Sequence, residues 1–156
     1  MNENRIVWLN HNKCSGCHMC ELVCSYSKMG IFNPEDSRIS TIERDMEGSV
    51  HIICRNCEEA PCIDACPAGA LYRRIEDHFV VLNETKCVGC NMCVMLCPFN
   101  AIGIEDHYNV KCDTCCGAEK CAQICERGAI EFMDYSKAGK SKRREYMKRL
   151  LSEQEI

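Results

Sequence analysis

The chain has 156 residues, and its 17 cysteines outnumber its 1 tryptophan, 4 phenylalanines and 5 tyrosines together. With so few large apolar side chains, metal ions or disulfide bonds must supply what a dry core would otherwise give. The net charge is −4, divided into −8 on residues 1–136 and +4 on residues 137–156. Because phosphate binding requires a clustered basic face, this acidic body argues against a nucleic-acid partner. No apolar run reaches the roughly 18 residues that suggest a membrane span.

The first residues favour metal over disulfide bonds. Met1–Trp8 contains neither a basic segment followed by an apolar stretch nor a twin-arginine signal. We therefore expect a cytoplasmic protein of an anaerobic cell, because thiols in a reducing cytoplasm stay free to bind metal.

Sixteen of the cysteines fall into four motifs of four, numbered here in chain order. Pro67 follows the second motif and Pro98 follows the third. The motifs are Cys14-x2-Cys17-x2-Cys20-x3-Cys24, Cys54-x2-Cys57-x4-Cys62-x3-Cys66, Cys87-x2-Cys90-x2-Cys93-x3-Cys97 and Cys112-x2-Cys115-x5-Cys121-x3-Cys125.

The sequence also repeats beyond the cysteines. With an offset of 73 residues, Ile6–Cys24 aligns on Phe79–Cys97 and keeps identical residues at several positions between the cysteines. Cys66–Leu71 resembles Cys125–Ile130 in the same way. This pattern indicates that a unit of two motifs has been duplicated.

Local patterns around the motifs predict an α+β fold of short elements. Ile6–Leu9 and Phe79–Leu82 are β-rich runs that lead into cysteine loops. Pro67 and Pro98 are suited to the first turn of a helix, where the missing N–H is not needed. Residues 25–50 are predicted to form a connector and a hairpin arm.

The spacing of the motifs favours [4Fe–4S] clusters over zinc. Cys-x2-Cys-x2-Cys-x3-Cys-Pro is typical of bacterial ferredoxins, in which the fourth cysteine binds the neighbouring cluster. Three closely spaced thiolates cap three corners of one cube from a single loop, whereas zinc sites usually join two separated Cys-x2-Cys pairs. The four motifs therefore predict four [4Fe–4S] clusters, with a disulfide framework as the main alternative.

The four motifs together resemble the electron-transfer subunits of the dimethyl sulfoxide reductase, formate dehydrogenase and nitrate reductase complexes. Cys54–Cys62 (CRNCEEAPC) and Cys87–Cys93 (CVGCNMC) carry this resemblance, which covers residues 5–132. It implies two bacterial-ferredoxin-like units related by a pseudo-twofold duplication, nested in sequence and followed by a C-terminal helix. The expected boundaries are 1–50 plus 108–136 for the outer unit, 51–107 for the inner unit and 137–156 for a basic helix or tail.

The same resemblance implies that the motifs pair first with fourth and second with third. The gap of 20 residues between Cys66 and Cys87, against 29 between Cys24 and Cys54, independently favours a compact inner unit. One departure from the family pattern is Glu126, which stands where proline follows Cys66 and Cys97. The short insert in the fourth motif is another. The implied ligand sets are Cys14, Cys17, Cys20 and Cys125; Cys112, Cys115, Cys121 and Cys24; Cys54, Cys57, Cys62 and Cys97; and Cys87, Cys90, Cys93 and Cys66.

Three further features have two interpretations each. Cys116 either replaces Cys115 as a ligand or is a spare buried thiol, which we favour because the Cys-x2-Cys step matches the other motifs. His18 either raises the potential of a cluster or faces solvent, and we expect the second. Residues 136–156 are predicted to form a helix that either docks a partner subunit or ends in solvent. Its apolar residues at helical spacing are Met147, Leu150 and Leu151.

We expect an electron-transfer subunit without a catalytic site of its own. No phosphate-binding glycine loop, dinucleotide fingerprint or nucleophile–base set is present. The partners would be a catalytic oxidoreductase subunit and an external electron carrier. Cys24–Ile39 resembles the small iron–sulfur subunits of tungsten-dependent aldehyde oxidoreductases, which implies a tungsten or molybdenum enzyme as partner. Alternatives are a free diffusible polyferredoxin, a subunit of a formate dehydrogenase, hydrogenase or carbon monoxide dehydrogenase, and a metal-storage or redox-sensing protein.

Overall fold

The computed structural model describes residues 5–44, 48–105 and 107–152. Short strands and helices alternate along these ranges. The strands are β1 (Arg5–Leu9), β2 (Ser40–Arg44), β3 (Gly48–Ile52), β4 (Leu71–Arg73), β5 (Val80–Leu82), β6 (Ile102–Ile104), β7 (Asn109–Lys111) and β8 (Ile130–Asp134). The α-helices are α1 (Met19–Met29), α2 (Pro61–Asp64), α3 (Met92–Leu96), α4 (Lys120–Ile124) and α5 (Tyr135–Ser152). Three-residue 3-10 helices lie at His11–Lys13, Pro34–Asp36 and Glu84–Lys86.

The strands pair in four antiparallel sheets of two strands each. β1, near the start of the chain, pairs with β8, so that Leu9 lies opposite Ile130. β4 pairs with β5. β6 pairs with β7. β2 pairs with β3, and this pair confirms the hairpin arm predicted within residues 25–50 and extends it to Ile52. An isolated pair of strands is marginally stable in water, so these sheets depend on what packs between them.

In the second, third and fourth motifs a helix precedes the fourth cysteine instead of following it, whereas α1 runs through Cys24. Pro67 and Pro98 lie in turns after Cys66 and Cys97, so the prediction that these prolines begin helices was wrong. Proline does occupy the first position of α2, but that residue is Pro61. The physical reason is that the chain must turn sharply after the fourth cysteine to enter the next strand, and the fixed φ of proline suits such a turn as well as a helix.

Two groups of buried side chains form the core. The first lies around β1 and α1 and includes Val7, Leu9 and Ile53, with α1 packed against α4. The second lies around β4 and β5 and includes Leu71 and Val80, with α2 packed against α3. Cysteine side chains belong to both groups, so the thiols form part of the packed interior as well as of the candidate sites.

Asn56 joins β1 to β5. Its side chain is buried, and its Nδ2 donates to the carbonyl oxygens of Arg5 at 2.6 Å and His78 at 3.4 Å. Its Oδ1 accepts a hydrogen bond from the backbone N–H of Val80 at 2.8 Å. Its φ of 55° lies in the left-handed region, which asparagine tolerates better than most residues.

We expect Asn56→Ala to destabilise the protein by about 3 kcal/mol, because three backbone groups, of which the Val80 N–H is buried, lose their partner. The Tm of the cluster-loaded protein, measured anaerobically at one scan rate, should fall by roughly 6–12 °C. Asn12→Ala is the control, since Asn12 is exposed and should leave Tm nearly unchanged. Equal shifts in the two variants would contradict this role of Asn56.

The predicted C-terminal helix is present as α5, and residues 153–156 of the predicted tail lie outside the described residues. Ala138 is buried where α5 packs on β1 and β8. Met147, Leu150 and Leu151 are 55%, 41% and 65% exposed, so the apolar side chains at helical spacing point away from the body. Within the described ranges, no helix has both the length and the apolar composition needed to cross a bilayer.

Candidate metal centres

The first cavity is lined by cysteines of the first and fourth motifs. Three come from the loop and helix start at Cys14, Cys17 and Cys20, and Cys125 closes the cavity from the other end of the chain. Its volume is about 350 Å³. The pairing of β1 with β8 brings these two parts of the sequence together.

The second cavity is lined by cysteines of the same two motifs in the opposite proportion. Three of its cysteines come from the fourth motif, and the remaining one, Cys24, lies on α1 one turn after Cys20. Lys28 and Asp113 also line this cavity and form an ion pair with each other. The three cysteines of the fourth motif are Cys112, Cys115 and Cys121.

The third cavity combines the second and third motifs. Cys54, Cys57 and Cys62 line one side, and Cys97, which follows α3, lines the other. The other four cysteines of these motifs lie beyond it. Cys93 is buried in the same core group as half-buried Cys66, and the charge of Cys66 contributes to a raised pKa of Cys93, after burial as the main cause. Cys87 is half-buried and Cys90 is exposed.

Cys116 lines none of these three cavities. It is exposed, so the prediction of a buried spare thiol was wrong. Thr114, Cys115 and Cys116 have φ values of 62°, 52° and 54°, and this left-handed run turns the backbone so that Cys115 faces the cavity. The same turn of the backbone places Cys116 and Gly117, which lie in the longer spacing of the fourth motif, at the surface.

Backbone N–H groups point at many of the cysteine sulfurs. After three of the fourth cysteines, a left-handed residue three positions on directs the next N–H back to the sulfur. The resulting bonds run from Ala70 to Cys66 at 3.2 Å, from Ala101 to Cys97 at 3.4 Å and from Ala129 to Cys125 at 3.3 Å. Cys24 differs because α1 continues past it, and the N–H of Arg38 donates to its sulfur at 3.3 Å. Such bonds stabilise thiolates and bound clusters.

Asn109 is a residue of this kind that the sequence analysis missed. It is buried at the start of β7, its side-chain Nδ2 donates to Cys93 Sγ at 3.3 Å and its backbone N–H donates to Cys87 Sγ at 3.5 Å. Asparagine before a cysteine motif is too common to be singled out from sequence. Only the folding of β7 beside the third motif gives it this position.

Burial raises the pKa of several thiols. Burial raises the pKa of Cys62 to about 11. The pKa of Cys112 is raised to about 12, mainly by burial and then by the charge of nearby Cys54. The pKa of Cys121 is also raised, mainly by burial. Burial raises the pKa of Cys66 too, but backbone N–H groups, those of Leu71 and Ala70 foremost, lower it below its ordinary value. A metal that binds the raised thiols must displace their protons, so its affinity decreases as the pH falls.

Two histidines border the first cavity. His18 is half-buried and not simply solvent-facing, because its Nδ1 lies 2.5 Å from Glu21 Oε2 and its Nε2 lies 3.3 Å from Glu43 Oε1. The bond to Glu21 is the main cause of its raised pKa. His51 Nε2 lies 3.3 Å from Cys14 Sγ, and burial lowers its pKa.

The arrangement fits clusters better than single ions. Within the described ranges, no three His, Cys, Asp or Glu side chains converge to hold one metal ion. Three cavities each have four cysteine sulfurs at their walls, and four thiolates are the donor set of a [4Fe–4S] cluster. Short paired strands and helices around such cysteines define a ferredoxin-like iron–sulfur protein.

Comparison with known proteins identifies the family. Residues 49–135 match the 4Fe-4S dicluster domain, and the chain belongs to this family. It is 40% identical over 131 residues to the aliphatic sulfonate oxidoreductase polyferredoxin-like subunit of Pyrococcus furiosus, covering 81% of this chain and 76% of that relative. It is 32% identical over 160 residues to an iron–sulfur protein of Rhodospirillum rubrum, covering 85% and 83%.

A third relative is much longer than this chain. The chain is 33% identical over 128 residues to the NADH-dependent phenylglyoxylate dehydrogenase subunit beta of Aromatoleum evansii, covering 78% of this chain and 28% of that relative. The predicted class, an iron–sulfur protein of the [4Fe–4S] ferredoxin type, is confirmed by the family and by these names.

Proposed function

We propose that the chain is a non-catalytic subunit that relays single electrons through four [4Fe–4S] clusters. The observation that carries this proposal is the composition of the three cavities, each lined by three cysteines of one motif and one of its partner motif. The proposed ligands are those sets together with Cys87, Cys90, Cys93 and Cys66. When bound, such clusters supply one-electron transfer.

The proposed fold is a pseudo-twofold pair of nested ferredoxin-like units. The pairing of β1 with β8 around the first and fourth motifs corresponds to the pairing of β5 with β4 around the third and second. The β2–β3 hairpin corresponds in the same way to β6–β7. The two core groups support an outer unit at 1–50 plus 108–136 and an inner unit at 51–107, although Ile53 and Phe79 of the inner unit pack in the outer core.

The proposed partner is the catalytic subunit of a cytoplasmic oxidoreductase, of the tungsten or molybdenum type that the resemblance of Cys24–Ile39 implies. The similarity to a polyferredoxin-like subunit of an aliphatic sulfonate oxidoreductase supports a fixed oxidoreductase partner. An external electron carrier would exchange electrons at the other end of the relay. The alternative is a free polyferredoxin, which would elute alone from gel filtration of a native extract, whereas a subunit would elute with its larger partner.

Chemical analysis of the anaerobically purified protein tests the cluster count. Four clusters require about sixteen iron and sixteen sulfide per chain and no stoichiometric zinc. An iron content near half that value would mean that two of the four cysteine sets bind no cluster. Stoichiometric zinc would contradict the proposal altogether.

We also propose that α5 binds the catalytic subunit. Residues 137–156 carry seven Lys or Arg and three Glu, so an acidic face of that subunit would complement them. The exposed side chains of Met147, Leu150 and Leu151 would contribute apolar contacts beside this charge.

Deletion of residues 137–156 should leave the iron content and visible absorption unchanged, because no proposed ligand lies there, and should weaken co-purification of the catalytic subunit at least tenfold. Raised salt should reproduce part of the loss by screening. Since deletion also removes buried Ala138, the exposed triple variant Met147→Ser, Leu150→Ser, Leu151→Ser is a milder test. Full co-purification of both variants at high salt would show that α5 is only a solvated end.

A further inference from the structure

Two residues at equivalent places in the duplicated sequence each line the cavity of the other residue's motif. Ile53 follows β3 and precedes Cys54, whereas Lys111 ends β7 and precedes Cys112. Ile53 lines the cavity of Cys112, and Lys111 lines the cavity of Cys54. The cavities of Cys54 and Cys112 therefore differ at this position, because an ammonium group lines the first and an apolar side chain lines the second.

Two hydrogen bonds fix the side chain of Lys111 at the wall of the cavity of Cys54. It is 6% exposed, and its Nζ donates to the carbonyl oxygens of Val80 and of Cys112, the latter at 2.8 Å. No carboxylate among the described residues forms an ion pair with it. Because no carboxylate pairs with this ammonium group, its field is not cancelled locally, and it reaches both cavities because Nζ also contacts the Cys112 carbonyl.

The other charges around the two cavities increase the difference. Arg55 also lines the cavity of Cys54, and no acidic side chain of the described residues lines it. At the cavity of Cys112, the ammonium group of Lys28 is paired with Asp113. The remaining charged residues there, Arg38 and Glu119, are also in ion pairs, with Glu105 and Arg5 respectively.

We propose that Lys111, with Arg55 at the same cavity, makes the cluster bound by Cys54, Cys57, Cys62 and Cys97 easier to reduce. Reduction by one electron adds one negative charge to a cluster, and an unpaired cation at its wall stabilises that charge. The inference rests on the proposed function, because it requires a cluster in this cavity. In such a relay, Lys111 favours the arrival of an electron at this cluster.

A redox titration of the full-length, cluster-loaded protein, followed by electron paramagnetic resonance, tests this role. In Lys111→Met, the equilibrium constant for reduction of one cluster should fall at least tenfold, which is about 59 mV for a one-electron couple. This shift should appear in the signal that Cys62→Ser removes. Lys140→Met, which removes an exposed lysine of α5, is the matched control and should shift no signal.

A second variant guards against a failure to fold. Lys111→Gln keeps an N–H donor for the Val80 carbonyl while removing the charge, and it should give the same shift, whereas Lys111→Arg should largely restore the potential. Iron and sulfide are measured on every sample, so a wild-type content far below sixteen of each contradicts the proposed function itself. Full content with an unshifted potential in both Lys111→Met and Lys111→Gln overturns only the role of Lys111.

Discussion

Removal of iron from the anaerobic protein with a chelator and a mild oxidant should unfold the chain, with loss of most of its far-ultraviolet circular dichroism. The described sheets have two strands each, and α2, α3 and α4 have at most five residues, so little secondary structure would persist unaided. Structural metal sites in small domains contribute on the order of 10 kcal/mol, comparable with the whole stability of about 5–15 kcal/mol of an ordinary domain.

The direction of the pH effect follows from the thiols. Because burial raises the pKa of Cys62, Cys112 and Cys121, protons compete with iron for these sulfurs and cluster loss should accelerate as the pH falls. Circular dichroism and the visible absorption of the clusters, recorded together, check whether unfolding accompanies iron loss. An iron-free chain that kept a cooperative thermal transition would contradict the dependence of the fold on its clusters.

Cys97→Ser should abolish or convert the cluster held by Cys54, Cys57 and Cys62 and leave the cluster of Cys87 and its motif intact. The reason is that the Cys97 side chain lies at the wall of the third cavity, opposite the second motif. We expect iron to fall by one to four atoms from the sixteen per chain that four clusters require. Paramagnetic resonance should show the change in one signal only.

Cys116→Ser is the matched control for this experiment. Cys116 is exposed and lines none of the three cavities, so its loss should change neither the iron content nor any cluster signal. If Cys97→Ser instead removed the signal that Cys87→Ser removes, the third motif would hold its own cluster and the nested pairing would be wrong.

The sequence predicts the parts of this protein that depend on local spacing. The distances between cysteines along the chain determine which thiols share a loop, and the runs Ile6–Leu9 and Phe79–Leu82 are rich enough in β-forming residues to predict β1 and β5. The hairpin between the first two motifs and the C-terminal helix were predicted for the same reason. These are features that about ten neighbouring residues specify by themselves.

Helix α1 shows what local spacing does not give. It continues for 5 residues beyond Cys24 and ends at Met29. Gly30 caps it, because its left-handed φ of 75° allows its N–H to bond to the Tyr26 carbonyl at 2.9 Å. The sequence held a signal, since Cys24 is followed by Ser25 and no proline or glycine comes until Gly30. The bond from Arg38 to Cys24 depends on this longer helix and could not be predicted from the motif alone.

The roles of Lys111 and Asn109 depend on tertiary structure. Both lie on β7, and only the packing of β7 against β5 brings one residue to the third cavity and the other to Cys93. A strand of three residues is too short for its sequence to show which side chains face the core. The exposure of Cys116 also depends on tertiary structure. The left-handed run Thr114–Cys116 turns Cys115 toward the second cavity and leaves Cys116 outside it.

The pairing of β1 with β8 sets an order for maturation during synthesis. Cys14, Cys17 and Cys20 emerge early from the ribosome, but Cys125, which shares their cavity, follows more than a hundred residues later. The second and third motifs have both emerged by then, so in the proposed scheme the middle of the chain has both of its ligand sets complete while the first strand still lacks its neighbour. In the proposed scheme, a ribosome that stalls before residue 125 leaves the first ligand set without its fourth thiol, so we expect this cluster to be completed only in the last part of translation.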